Sequence, residues 1–267
     1  RPDLALRSSY GRATRFPTVG ELFKNIGIKN LSGIDATPAE IAGFPAPYNI
    51  AKTNDPNLKP EAADSWELTA ERFLESGVVR ASLFGEEKRD ALISQTDTTT
   101  LPGFSISSVQ NIDKVRSYGL EVSAQTKDWL IRGLDLSGNV TYVSSKIVSN
   151  SKNPKLENTW QPLVPEWRAA MVGTYHASDK LSYTVGYRYS GRQHSGLFNT
   201  TTMQYDDPNP NTYGGRSTFS VLDAKVLYKF AKQWSASVGV NNIANEKYYT
   251  LYPYTQRNYL VGVKYDN

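Results

Sequence analysis

His194 is the residue of this chain best placed to act as a base, because Asp206 and Asp207 follow it in the same polar stretch. A carboxylate that holds one imidazole nitrogen leaves the other free to accept a proton. Loop histidines beside acids are also common packing, and spacing alone does not bring His194 against Asp206. The other histidine, His176, adjoins the turn Ala177-Ser178-Asp179 and reads as a boundary residue. With no cysteine there is no thiol nucleophile, thiolate metal site or disulfide. Asp206 and Asp207 lack the ordered ligand spacing of a calcium loop, so no metal site is assigned and no cofactor is expected. What remains is non-covalent chemistry. Arg12, Arg15, Arg192 and Arg216 can hydrogen-bond the oxygens of an anionic ligand. Tyr205, Tyr213, Tyr252 and Tyr254 can stack on an aromatic one. A net charge of +4, spread in both signs without a basic block, gives no support to nucleic-acid binding.

The elements that must position these residues are strands. Trp234, Ala236, Val238 and Val240 alternate with Ser235, Ser237, Gly239 and Asn241. Tyr259, Val261 and Val263 alternate in the same way with Asn258, Leu260, Gly262 and Lys264. Period-two alternation puts one set of side chains on each face. It recurs about ten times, predicting strands over 3–10, 61–73, 78–93, 109–126, 134–146, 166–175, 181–191, 219–230, 234–242 and 257–265. Long polar connections (11–59, 94–105, 150–162, 192–216, 243–256) alternate with short turns near residues 76, 128, 178 and 232.

An apolar strand face needs either a covering layer or lipid. The chain is 39% hydrophobic with a mean hydropathy of −0.49, and no apolar run approaches the ~20 residues of a spanning helix. Those averages do not exclude a barrel, in which only alternate residues meet lipid. Its 17 tyrosines suit a membrane–water boundary. The sequence supplies no covering layer of comparable size, and the long–short rhythm fits strands that cross a bilayer and return. The fold class expected is all-β: an antiparallel transmembrane β-barrel with long extracellular loops and short periplasmic turns. Tyr187, Tyr189, Tyr228 and Trp234 then form an interfacial girdle. Glu67, Glu71, Glu121, Arg168, Arg188, Asp223 and Lys225 line the lumen, where mixed signs are expected because a buried charge must be paired. The rim arginines either receive the ligand or bind lipopolysaccharide phosphates. Two other readings stay open. One is a complete ten-stranded protease barrel of the omptin kind, with His194 and an Asp above it; the other is a soluble β-rich binding module.

Several segments resemble the TonB-dependent outer-membrane receptors, in the C-terminal part of their barrel. Thr14-Arg15-Phe16-Pro17-Thr18, followed by Glu21-Leu22-Phe23, is similar to the family's "fRaPt…eLf" segment, with Phe16 where Ala is usual. Asp55-Pro56-Asn57-Leu58-Lys59-Pro60-Glu61 and Ser65-Trp66-Glu67-Leu68 resemble "NPnLkPE…syElG". Asn111–Glu121 resembles a recurring "N…a…GvE" strand, and Val240–Tyr249 the near-terminal "vxNLfdkkYy" box. The resemblance implies a receptor in the bacterial outer membrane that imports a ferric siderophore or similar metal chelate with energy from the TonB complex, without covalent chemistry on its cargo. It implies a barrel of roughly 22 strands around a plug, of which residues 1–267 would be the last ten or so. The plug, the TonB-binding segment and the first barrel strands would lie outside the chain, which opens on Arg1-Pro2. Its partners would be lipid, lipopolysaccharide, its own plug, the TonB complex and the chelate, and the lumen carboxylates and cations would meet the plug. Family members commonly end in an aromatic residue; this chain departs from that pattern, ending Lys264-Tyr265-Asp266-Asn267.

Overall fold

The computed structural model describes residues 3–23, 49–50, 57–97, 105–200, 202–205, 207 and 209–266. Its elements are β1 (Leu4–Arg15), α1 (Val19–Phe23), β2 (Asn49–Ile50), β3 (Glu61–Leu74), β4 (Gly77–Asp97), β5 (Ser105–Thr126) and β6 (Leu134–Ser149). A 3-10 turn at Pro154–Leu156 follows, then β7 (Trp167–His176), β8 (Leu181–Ser190), β9 (Phe198–Asn199) and β10 (Gln204–Tyr205). β11 (Phe219–Ala231), β12 (Trp234–Asn241), β13 (Tyr249–Thr250), β14 (Tyr252–Pro253) and β15 (Asn258–Tyr265) complete the chain. The long strands pair in the order β1-β3-β4-β5-β6-β7-β8-β11-β12-β15, and β2 adds to β5 in parallel. Each long strand thus bonds to its predecessor and successor, the up-and-down order of a barrel wall. The path begins at β1 and ends at β15, which do not pair with each other.

Register sorts the side chains into rows. Ser8, Leu68, Leu83, Leu120, Tyr142 and Trp167 stand opposite one another across six strands. One residue away, on the other face, the row reads Arg7, Thr69, Ser82, Glu121, Thr141, Arg168 and Ser190. The first face is apolar and uncovered. Leu6 is 69% exposed, Leu68 50% and Val261 80%. The buried apolar cluster is small (Ala91, Ile112, Val115, Ile147 and Leu156) and lies toward the long-loop ends of β4 to β6. Leaving a large aliphatic side chain in water forfeits ~1.5–3 kcal/mol. Leu6, Leu68, Leu83, Leu120, Val185, Val238 and Val261 would together forfeit on the order of 10 kcal/mol, the whole stability of an ordinary domain. The apolar face is therefore built for lipid.

The expected strands are present, with two corrections to their extent. β1 continues through Tyr10–Arg15, where Gly and Arg read as loop, because its backbone keeps pairing with Glu61–Trp66. Likewise β4 runs to Asp97 and β5 starts at Ser105, so residues 94–97 and 105 of the polar connection expected over 94–105 are strand, while 98–104 lie outside the described residues. Hydrogen bonding continues there after the apolar alternation has stopped. α1 was not foreseen. Thr18 Oγ1 accepts from the Glu21 N–H at 3.2 Å while Glu21 accepts from the Thr18 N–H at 2.7 Å, a reciprocal cap that starts the turn. Asp55 and Pro56 lie outside the described residues.

Gly85 is required by packing. It stands between Trp66 and Tyr118 in the outward aromatic row, and a Cβ there would sit 2.6 Å from the Trp66 indole. Gly85→Val should displace that ring and cost about 1–3 kcal/mol, as overpacking does. In the full-length protein the variant should lose its heat-modifiable electrophoretic mobility at a lower temperature than wild type.

Candidate functional site

The lumen wall is built from residues of alternating charge held by short bonds. Near the short-turn end, Glu71 is 2% exposed and lies between two arginines. Arg7 approaches one of its oxygens to 2.8 Å, and Arg80 Nε donates to the other at 2.7 Å. Thr69 donates to Glu67 at 2.6 Å, and Thr141 to Glu121 at 2.9 Å. Arg188 pairs with Asp223 at 3.1 Å. Arg168 and Lys225 lie on the same face by register and have no carboxylate partner among the described residues.

The long connections fold over the wall, held by polar side chains that cap backbone groups. Asn111 exchanges hydrogen bonds with Lys59, accepting from its N–H at 2.8 Å and donating to its carbonyl at 2.9 Å. It also donates to the Asp90 carbonyl at 2.8 Å. One amide thus ties two of the resemblance-bearing segments together. Asn242, buried, donates to the Glu246 carbonyl and accepts from its N–H, each at 2.8 Å, while its own N–H donates to Asp223. Asn242 and Asn245 both adopt positive φ, which Asn tolerates in turns.

The loop residues fall into two clusters. In the first, His194 Nδ1 lies 3.0 Å from Asp207 Oδ2, with both side chains nearly buried. The imidazole stacks on Tyr205 at 3.4 Å between centroids, Phe198 meets Tyr205 edge-on, and the Tyr205 hydroxyl accepts from the Trp160 N–H at 2.7 Å. Arg192 borders the group, its carbonyl accepting from the Glu166 N–H. This cluster latches loop 191–218 to loop 150–166. The acid that meets His194 is Asp207; Asp206 lies outside the described residues. In the second cluster, Tyr248 stacks on Phe219 and on Tyr254, at 4.4 and 4.8 Å. Tyr213, 69% exposed, makes edge contacts with Tyr249 and Tyr252, and Arg216 bridges to Thr250.

Beneath the second cluster is a cavity of about 500 Å³ whose lining includes Glu121, Arg168, Arg188, Gln193, Tyr248 and Tyr254. Gln193 carries no motif, and the near-terminal box that contains Tyr248 does not mark its ring as lining; the folding of loops 191–218 and 242–257 onto the wall brings them in. Arg12 and Arg15 lie elsewhere. Arg12 shares the outward face with Tyr10 and pairs with Asp64 at 3.6 Å, whereas Arg15 binds Glu21 at 2.6 Å at the rim. His176, at the short-turn end, bonds Ser182 and lies 3.4 Å from Asp135.

An uncovered apolar face outside, a charged wall inside and folded loops at one end define the wall of a transmembrane β-barrel. The family described as TonB dependent receptor-like, beta-barrel matches residues 1–243, and the chain belongs to it. Its members are transport receptors of the bacterial outer membrane. The ferripyoverdine receptor of Pseudomonas aeruginosa is 24% identical over 203 residues, 72% of this chain and 23% of that protein. Hemoglobin-haptoglobin utilization protein B of Neisseria meningitidis is 26% identical over 232 residues, 78% of the chain and 27% of that protein. The chain therefore spans about a quarter of the curated relatives it matches. A mutant of the ferric enterobactin receptor of P. aeruginosa, solved with enterobactin, superposes with a TM-score of 0.68 at 15% identity, over 99% of this chain and 39% of that one.

The latch has a pH signature. Burial raises the Asp207 carboxyl, but hydrogen bonds from Ser195 and His194 outweigh it and hold the group below its ordinary 3.8. A lowered carboxyl stabilises the folded loop above its ordinary value and loses that contribution as pH falls through the lowered one. Pepsin mapping of the full-length protein should find loop 191–218 resistant down to about pH 4 and increasingly cut below it. Asp207→Asn should be cut already at the upper end of that range.

Proposed function

We propose that residues 1–267 form the C-terminal part of the barrel domain of a larger receptor, with the plug and the first barrel strands supplied by sequence outside this chain. The receptor takes up a ferric siderophore or similar metal chelate and draws energy from the TonB complex. The observation that carries the reading is the cavity under loop 242–257. It places two guanidinium groups, Arg168 and Arg188, beside the stacked rings of Tyr248 and Tyr254. An anionic chelate presents oxygens to the former and, where it is aromatic, a ring to the latter. Arg168 has no competing carboxylate among the described residues, so its hydrogen-bonding capacity is available.

The remaining loop candidates divide by cluster. Tyr213 and Arg216 belong with this cavity, as the outer surface a chelate meets first. Arg192, His194 and Tyr205 serve the latch that shapes the neighbouring wall, and Arg15 fixes the rim turn with Glu21. Lower on the wall, Glu67, Glu71, Glu121, Asp223 and Lys225 are the groups a plug would touch. Glu71 is the most firmly placed of these, since Arg7 and Arg80 hold its two oxygens.

An iron-limited strain lacking its own receptors, carrying the full-length gene, should grow on one class of chelate among single siderophores, haem and other metal chelates supplied separately. Growth on none of them, with the protein present in the outer membrane, refutes the reading. On the supporting chelate, Arg168→Ala combined with Arg188→Ala should weaken cell-surface binding about tenfold or more, since charge-assisted hydrogen bonds are lost from both. Protein level in the outer membrane should be unchanged.

A further inference from the structure

The inner wall has two halves of different charge. Each inward-facing cation described on β1, β3, β4 and β5 already meets a carboxylate: Arg7 and Arg80 meet Glu71, Arg15 meets Glu21 and Lys88 meets Glu86. The half formed by β7, β8, β11, β12 and β15 is built otherwise. Among the described residues its inward cations are Arg168, Arg188, Lys225, Lys229 and Lys264, against the single inward carboxylate Asp223. Asp223 holds Arg188 at 3.1 Å, and Asp266, just past β15, holds Lys264 at 2.5 Å. Arg168, Lys225 and Lys229 have no carboxylate partner among the described residues, and all three are exposed in this chain.

These cations descend in order from the loops toward the short turns. Arg168 and Arg188 border the cavity of about 500 Å³ under loop 242–257. Next below it on the same strands is a hollow of about 260 Å³ whose lining includes Gly186, Asp223, Lys225 and Gly239. Val221 stands opposite Arg188, Lys225 is four residues further along β11, and Lys229 four beyond that. Successive levels are therefore ~14 Å apart. In free solution that exceeds the Debye length of ~8 Å. A lumen walled by low-dielectric material focuses the field instead, so that separate charges act as one track. A guanidinium grips oxygens in two places, whereas a lysine is one charge on a flexible stem. Passage needs sites that attract an ion and still release it. Two arginines above single lysines supply that gradation.

We propose that an anionic chelate leaves the upper cavity along the inner wall of β8, β11 and β12, with Lys225 and Lys229 as its stepping points, and not along the charge-balanced wall of β1 to β5. The inference deepens the reading of the cavity as a chelate site and rests on it. Lys225, which a plug would touch, then also borders the passage that opens beside the plug.

The test uses the full-length protein in the receptor-less, iron-limited strain, with the radioiron-labelled chelate on which that strain grows. Surface binding is measured on de-energised cells and initial uptake on energised ones. Lys225→Gln combined with Lys229→Gln should lower uptake about threefold to tenfold at unchanged binding, the low end of electrostatic steering. Lys225→Arg combined with Lys229→Arg should restore most of it. Lys88→Gln takes a cation from the balanced half and should leave uptake within about twofold, since its partly exposed pair contributes little. The double glutamine variant should exclude vancomycin as wild type does, whereas loss of a lysine that only held the plug would admit it. Unchanged uptake in the double variant, an equal loss in Lys88→Gln, or vancomycin entry each overturns the proposal. A wild type that binds no chelate strikes the cavity reading first, and the passage with it.

Discussion

In a bilayer core there is no water to satisfy an unpaired backbone N–H or carbonyl, so each strand must bond on both sides. The other properties of this chain follow from that constraint. Pairing fixes register; register fixes which residues stand in a row; and each row belongs wholly to one face. The Leu68–Leu83–Leu120 row and the Thr69–Ser82–Glu121 row differ by one residue along the chain yet meet opposite solvents. A one-residue slip of any strand would carry Glu71 or Glu121 into lipid and Leu68 or Leu120 into the lumen. The ladder thus acts as the sorting device, and the side chains report its result.

Much of this was legible in the sequence because lipid imposes period two directly on residue type. The ten long strands, and the sharing of one face of the wall by Glu67, Glu71, Glu121, Arg168, Arg188, Asp223 and Lys225, follow from parity. The place where strands stop was not legible. Beyond the membrane nothing requires alternate residues to be apolar, so Gly11-Arg12-Ala13-Thr14-Arg15 and Ser94–Asp97 carry no strand pattern while their backbones remain paired. Loop partners were hidden for a different reason. Whether His194 meets one acid or its neighbour depends on the stacking of its ring on Tyr205 and on the Ser195 N–H bonding Asp207. Neither has a sequence signature. Tyr248 belongs to the near-terminal box, but the box does not tell that its ring lines a cavity.

The segments that carry the family resemblance have local mechanical roles. In the first, Thr18 and Glu21 cap one another and Arg15 steadies the cap. In the second and third, Asn111 grips Lys59. In the last, Asn242 closes a turn on Glu246 and fastens it to Asp223 of the neighbouring strand. All three sit at the loop end of the wall, where the membrane no longer dictates structure and side chains must supply the missing backbone partners. Between these anchors the loops are free to carry aromatic and charged residues suited to a ligand.

β4 and β5 hold 21 and 22 residues, about twice what a tilted strand needs to cross a bilayer. Among the described residues, the pairs from Ile93–Gln110 to Asp97–Ile106 have neither β3 nor β6 beside them, and the two residues of β2 join their edge. A two-stranded ribbon twists more freely than a broad sheet and holds its shape weakly by itself. This ribbon therefore takes its shape less from the wall than from the loop packed on it, where Asn150 donates to the buried Gln95 at 2.8 Å. Anything large that approaches the cell surface brushes first against the portion whose contour the barrel dictates least.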